Sequence, residues 1–445
     1  MPGLAATTMN WSPTKAPQAV KRYDDIWFLD DRVGWAVNLN GEILHTEDGG
    51  ETWSTQMHNP AIYLRCIAFA SPTRGWAGSV GGETGFPILY DTRDGGRTWS
   101  VVPNIPADAP VAVWMWVVNE QVVYIAGANT PETPVRMMKT VDGGKTWTAW
   151  DMRPWADNLI DVYFPTADRG WVVGGRTDDR NPNPAKPMLR PVVLYTQDGG
   201  RTFTDQVASV RNQLKLGEWG WKMQFLDDRI GFIALQNYDD GSILTTTDGG
   251  ASWTRRPIND QQKNQNLEGI GFIDEKHGWV GGWGDRAKMK QTTSETLDGG
   301  LTWRDANEIG KTINRFRFFG KPVQFGFAAG KTIYKYGPGP TPPAPPAPTQ
   351  GRIIDDLEPL TAVGTANVRI TVPPDAARLT VRIWDSDGPL VRKLIDESNP
   401  APGTRVLTWD RTDDARQSLP VHSYIWRVTV DQTSESKLVL VNPAS

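Results

Sequence analysis

Thr46-Glu47-Asp48-Gly49-Gly50-Glu51-Thr52-Trp53 (TEDGGETW) is the stretch from which the rest of the chain can be read. It recurs at 92–99 (TRDGGRTW), 140–147 (TVDGGKTW), 196–203 (TQDGGRTF), 246–253 (TTDGGASW) and 296–303 (TLDGGLTW). Its aspartates, Asp48, Asp94, Asp142, Asp198, Asp248 and Asp298, lie 46, 48, 56, 50 and 50 residues apart. Such a period marks a supersecondary unit that stacks on its own copies. Asp can hydrogen-bond the backbone that follows it, and Gly accepts positive φ, so DGG reads as a tight turn between two strands. The Thr and Trp that follow are expected to lock and cover that turn.

Two further landmarks precede each turn. One is Gly34-Trp35, Gly75-Trp76, Gly170-Trp171, Gly231-Phe232, Gly278-Trp279 and Gly326-Phe327, with Val123-Tyr124 in the third unit. The other is a short apolar run ending in Phe28, Phe69, Phe164, Phe225 or Phe272. Together they divide a unit into four short strands, in the first unit 25–29, 34–38, 42–46 and 52–55. Four-stranded units at this period predict an all-β, seven-bladed β-propeller over residues 10–336. There are seven Gly-aromatic landmarks but six turns. Asn10-Trp11-Ser12 resembles the strand after a turn, so the N-terminus is expected to supply the outer strand of the seventh blade and remove its open edge. The other reading is six blades and a ragged end.

The composition agrees. The chain has 445 residues, which suggests two or three domains, and 39% hydrophobic content, which excludes wholesale disorder. The 21 tryptophans outnumber Tyr and Phe because the repeat reuses them. Cys66 is the one cysteine, so an intrachain disulfide and a cysteine zinc site are excluded. His45, His58, His277 and His422 form no local metal pair, and no cofactor or metal is expected. A formal net charge of -4 shows no basic nucleic-acid footprint. No apolar run is long enough for a transmembrane helix, and 1–8 (MPGLAATT) has no signal-peptide pattern.

These residues resemble two related families. The DGGxTW turns are similar to the Asp-boxes of sialidases and other BNR-repeat propellers. The longer pattern, Gly34-Trp35-Ala36-Val37, then Gly41-Glu42-Ile43-Leu44-His45-Thr46, then the box, resembles photosystem II assembly factors of the Ycf48 type. The first resemblance implies that the six box aspartates are structural and lie opposite any active site. The second implies a propeller that binds partner proteins during assembly.

Residues 337–350 (GPGPTPPAPPAPTQ) read as a proline-rich, semi-rigid linker. Beyond it, 351–445 reads as a small β-sandwich with strands at 368–372, 379–384, 391–394, 405–409, 424–430 and 437–441. Val381-Arg382-Ile383-Trp384-Asp385, Asp387-Gly388 and Trp409-Asp410 resemble the FlgD-type Ig-like module, which implies a bacterial, extracytoplasmic setting.

If strand one of each blade is innermost, the boxes lie on one face, and the long insertions lie on the other. These insertions are 81–87, 129–136, 176–190, 237–240, 283–290 and the blade connections 206–219 and 257–267. Lengthened loops on one side of a rigid scaffold are where binding concentrates. Alignment of the inner strands puts Asp25, Cys66, Trp114, Asp161, Lys222, Gly269 and Arg315 at the mouth of the central channel, with Arg65, Glu268 and Arg317 nearby. Arg176, Arg190, Glu218, Trp219, Trp283 and Arg286 are placed on the insert face. The expected ligand is a protein partner, with the 178–190 flap as a contact. The alternative is a glycan, bound or hydrolysed with Asp161, Glu218 and Glu268 as the carboxylates.

Overall fold

The computed structural model describes residues 9–80, 87–107, 109, 112, 114–127, 135–177, 188–237, 239–260, 264–284, 293–306, 309–310, 312–338, 354–357, 366–385, 390–419, 423–431 and 433–440. They divide into two compact units, 1–341 and 342–445. Among the described residues the helical content is 3₁₀ alone: the turn Arg211–Gln213 and Ile309.

The first unit is a β-propeller of four-stranded antiparallel sheets, seven of them among the described residues. The first strands are Tyr23–Phe28, Leu64–Phe69, Trp114–Val117, Asn158–Tyr163, Trp219–Phe225, Leu267–Phe272 and Arg315–Phe319. Each packs against the first strands of the sheets before and after it, and the seventh packs against the first, so they form a closed ring. The seventh sheet is completed by Met9–Pro13, which pairs with Ile333–Pro338 with Trp11 opposite Tyr336. The apolar residues expected inside the ring (Ile26, Ile67, Met115, Val162, Met223, Ile270 and Phe316) are all buried.

The landmarks have a steric origin. Each landmark glycine stands under the ring of the phenylalanine in its own sheet. A Cβ on Gly34 would sit 2.3 Å from Phe28 Cδ1, and one on Gly75 would sit 2.6 Å from Phe69 Cδ1. In the third sheet no phenylalanine occurs, Val117 stands opposite Val123, and the glycine is gone as well. The aromatic after the glycine stacks on the phenylalanine of the following sheet. Trp35 meets Phe69 at 3.5 Å, Tyr124 meets Phe164 at 3.6 Å, Phe232 meets Phe272 at 3.6 Å, and Phe327 meets Phe28 at 3.5 Å across the closure. The landmarks therefore encode contacts between sheets as well as within them.

Each box is a hydrogen-bonded knot. Asp48 Oδ1 accepts from the Thr52 amide at 2.8 Å, and Oδ2 accepts from the Thr52 hydroxyl at 2.6 Å. Thr46 Oγ1 donates to Asp48 Oδ1 and accepts from the Gly50 amide, each at 2.9 Å. Gly49 and Gly50 have φ of 73° and 96°, values that disfavour any side chain. Because Thr52 is used by the turn, the fourth strand is Ser54–His58, not 52–55. The knots also clasp neighbouring sheets. Gln56 Nε2 donates to Gly95 O at 3.0 Å, Arg74 Nη2 to Gly143 O at 2.6 Å, Tyr124 OH to Gly199 O at 3.2 Å, and Gln206 Nε2 to Gly249 O at 3.2 Å.

The second unit has two antiparallel sheets. One contains Ile354–Leu357, Ala366–Val372 and Gly403–Trp409; the other contains Leu390–Ser398, Arg378–Asp385, Ser423–Val430 and Thr433–Leu440. They share one core around Val368, Ile370, Val381, Ile383, Trp409, Tyr424 and Trp426. All six expected strands are present, and Ile354–Leu357 is an additional one.

Candidate functional site

The chain enters every inner strand from the insert-bearing side, so the first residues of these strands gather at that end of the ring. Five of the seven inner strands carry a bulge there: the pairing register slips at Asp24, Arg65, Ile160, Trp221 and Glu268. A bulge breaks strict alternation and re-aims a side chain. Consecutive residues, Asp24 with Asp25 and Trp221 with Lys222, therefore both join one buried polar cluster.

Arg315 is its centre. Its Nε lies 3.4 Å from Asp25 Oδ1 and its Nη2 lies 3.2 Å from Asp161 Oδ1, which links the first, fourth and seventh sheets. Arg317 Nη2 also reaches Asp25 Oδ1 at 3.4 Å. The second oxygens are held by backbone: Asp25 Oδ2 accepts from the Ile67 amide at 3.0 Å, and Asp161 Oδ2 from the Met223 amide at 2.9 Å. Asp24 takes Arg22 Nε at 2.6 Å and Arg65 Nε at 2.8 Å. Arg22 Nη1 continues to Glu268 Oε2, and its guanidinium lies 4.4 Å from the Trp283 ring. Glu268 Oε1 accepts from Gln236 Nε2 and Trp283 Nε1, both at 3.0 Å.

Burial dominates the electrostatics. It pushes the Asp25 carboxyl above the ordinary range by more than Arg317 and Arg315 pull it down. Burial would also raise Asp24, but Arg22, Arg65 and Lys222 outweigh it and hold that carboxyl below the ordinary range. Burial, with Arg315 adding repulsion, lowers the Lys222 ammonium well below its usual value. Burial lowers Arg317 to about 10.

The expected residues separate into three groups. Asp25, Arg65, Trp114, Asp161, Lys222, Glu268 and Arg315 do converge, but as a closed, self-neutralising hub; none is an open channel-mouth charge, because each is less than 9% exposed. Glu218 is not in the hub. It is fully buried within the fifth sheet, against Arg255 Nε at 2.9 Å, the Lys215 amide and Ser242. Arg190 braces the connection after the fourth sheet, donating to Leu214 O and Arg211 O. Arg176 is exposed, and Trp219 and Trp283 are partly so. Arg286 lies outside the described residues, as do 81–86, 129–134, 178–187, 238, 261–263 and 285–290 of the expected insertions. Sequence reasoning missed Arg22, Asp24 and Asn314, which accepts from Trp221 Nε1 at 3.3 Å and donates to Asp24 O at 2.7 Å. The doublet Asp24-Asp25 was the available signal: two adjacent acids at the head of an inner strand cannot both be accommodated by simple alternation.

Two cavities lie at the other face, between sheets. The larger, about 600 Å³, is lined by Lys139, Trp150, Asp168 and the 198–201 turn. Its charged groups are Lys139, Asp168, Asp198 and Arg201, of which Asp198 is held by the Thr202 amide and hydroxyl of its own turn.

Comparison with known proteins places the first unit. The family model for the photosynthesis system II assembly factor YCF48 matches residues 4–109. The photosystem II assembly lipoprotein Ycf48 of Synechococcus sp. (strain CC9902) is 22% identical over 312 residues, covering 62% of this chain and 90% of that protein. A solved structure of YCF48 bound to a D1 peptide superposes with a TM-score of 0.52 at 18% identity, over 76% of this chain and 99% of that one. The GH74 enzyme of Niastella koreensis also gives a TM-score of 0.52, at 10% identity, over 95% of this chain and 73% of that one. The chain is thus similar in sequence to Ycf48 proteins, and both solved structures are likenesses in fold alone.

Proposed function

We propose that this chain is a non-enzymatic binding and assembly scaffold, a seven-bladed propeller that presents its insert-bearing face to a protein partner. One observation carries the reading. The three carboxylates expected for a glycosidase are each committed: Asp161 to Arg315, Glu268 to Arg22, and Glu218 to Arg255. Glycoside hydrolysis requires an acid and a base or nucleophile open to the bond being cleaved. Carboxylates buried on arginines are closed to a substrate. They make a rigid hub, and rigidity suits a platform that displays loops.

The relatives support the same class of activity. One is a photosystem II assembly lipoprotein, and one was solved bound to a D1 peptide. The Synechococcus relative is a lipoprotein, which supports an extracytoplasmic setting for this chain. Seven four-stranded sheets in a closed ring support the count of seven blades, and the shared core of two sheets supports an Ig-type module at 351–445. That module serves as a second contact or anchoring unit behind the 337–350 linker.

The contact face is best probed by exposed residues, because Arg65 and Arg315 are buried in the hub. Tyr63, 41% exposed on the first connection, and Arg176, at the edge of the fourth sheet's insertion, are suitable. The full chain and a Tyr63→Ala/Arg176→Glu variant are used as bait in an extract of the source organism, and captured material is read by mass spectrometry. A protein retained by the wild type and depleted by the variant is the expected result. Bound or trimmed glycan with no protein partner would replace the scaffold reading with the carbohydrate one.

A further inference from the structure

Among the described residues the second unit has four edge strands, and three of them carry features that discourage pairing with a further strand. Ile354–Leu357 is short and slips register between Ile354 and Asp356. Leu390–Ser398 slips register twice and carries Arg392, Lys393, Asp396 and Glu397. Thr433–Leu440 carries Glu435 and Lys437. Gly403–Trp409 is different. It runs seven residues against Ala366–Val372 in one unbroken register, without a bulge or a proline. Its one charge, Arg405, is taken by Glu397 Oε2 at 2.7 Å. Among the described residues no strand lies on its other side. Alternate amides and carbonyls of 403–409 therefore face away from their own sheet.

The side chains of this edge select its occupant. Thr404, Val406 and Thr408 form the outer row and are exposed, Val406 at 58%, while Arg405, Leu407 and Trp409 turn inward. The outer row reads Thr-Val-Thr in both directions, and Val406 is the middle residue of the strand. Antiparallel pairing with a second copy about Val406 therefore overlaps all seven residues. It sets Thr404 opposite Thr408 of the second copy, a favourable cross-strand pair, and the two Val406 side chains opposite each other. Charge selects the same register. Centring on Arg405 would oppose two guanidiniums, whereas centring on Val406 sets Arg405 opposite Leu407 of the second copy. A slip of one residue would turn the two outer rows to opposite sides of the joined sheet.

We propose that Gly403–Trp409 is a self-association edge: two copies of this chain pair it antiparallel about Val406 and join their three-stranded sheets into one of six strands. The contact is isologous, so it closes at two copies and covers both edges at once. A single strand pair buries less surface than a stable interface does, so the dimer forms reversibly and at high protein concentration. The inference does not depend on what the propeller binds.

The test uses the full chain. Sedimentation velocity follows a concentration series, and amide hydrogen exchange reads 403–409 in the same samples. The wild type should pass from monomer to dimer as concentration rises, with exchange at 403–409 slowing in step. Val406→Lys, at an exposed position that folding does not need, opposes two like charges at the two-fold axis and should stay monomeric, as should Val406→Glu. An equal mixture of the two variants should dimerise, because opposite charges then face each other. A wild type that stays monomeric up to about 1 mM would overturn the proposal. A mixture that stays monomeric would overturn the pairing about Val406. A dimer that persists in Val406→Lys without slowed exchange at 403–409 would put the contact on another surface and overturn it as well. Slow exchange at every concentration would mean that the chain's own residues cover the edge, with the same outcome.

Discussion

The two ends of the inner strands are built by opposite rules. At the box end one knot is used six times, with the same Thr-Asp-Gly-Gly-Thr/Ser atoms in the same bonds. At the hub end each sheet contributes something different: an acid pair from the first, Arg65 from the second, Trp114 from the third, Asp161 from the fourth, Lys222 from the fifth, Glu268 from the sixth and two arginines from the seventh. The box end can be uniform because each knot is closed within its own turn and touches its neighbour through one carbonyl. The hub cannot be uniform, because seven identical charges around one axis would repel. Repetition builds the frame, and individuality is confined to the place where all the sheets meet.

The largest effect should come from breaking the hub. Arg315→Met leaves Asp25 and Asp161 buried without their shared cation. It should cost about 3–5 kcal/mol of unfolding free energy in a denaturant titration, the usual consequence of removing one partner of a buried pair. Next comes the frame between sheets. Gly75→Ala drives a methyl into the Phe69 ring and should cost about 1–3 kcal/mol, as overpacking does. The Phe69→Val/Gly75→Val double variant copies the third sheet's Val117–Val123 pair and should recover part of that loss. Failure of the rescue would mean that the Trp35–Phe69 stack, not the clash, sets the cost.

A single knot should matter less and should show its own pH signature. Hydrogen bonds from the Thr146 hydroxyl and amide hold the Asp142 carboxyl at about 2. Its folded value thus lies below the unfolded one of about 3.9. The contribution is complete above that value and is lost as pH falls through about 2. Asp142→Asn should therefore narrow its deficit against the wild type only over that acid window, which stability measurements between pH 6 and pH 2 would detect. The smallest effect is expected on the insert face. Tyr63→Ala/Arg176→Glu should leave stability within about 0.5 kcal/mol of the wild type, as surface changes usually do, while weakening partner capture.

The contrast also explains what could be read from the sequence. The frame was legible because its contacts are periodic: each Gly-aromatic pair and each DGG turn is the same physical solution written again. The N-terminal strand was legible for the same reason, since Trp11 occupies the place of a box tryptophan's strand. The hub was legible only in part. The alignment on phenylalanine found the register of Asp25, Asp161, Lys222 and Arg315, but it assumed alternating strands. The bulges at Asp24, Arg65, Trp221 and Glu268 break that assumption, so partners such as Arg22 and Asp24 were missed. A polar ring was expected there, with its charges paired to neighbouring blades or solvated; the structure pairs and buries them. Charge pairing across sheets is set by distances among residues hundreds of positions apart, for which one sequence contains no periodic signal.

The closing strand has a consequence for the history of the molecule. Thr14 Oγ1 donates to Ile333 O across 319 positions, and among the described residues Met9–Pro13 pairs with Ile333–Pro338 alone. Synthesis at roughly 5–20 residues per second leaves this segment waiting for some tens of seconds. During that interval six sheets can form and stack in order, while the first presents a bare flank to anything that offers a strand. Completion of the ring is therefore a late, single event, and the chain is most vulnerable to mispairing with a second nascent copy just before it.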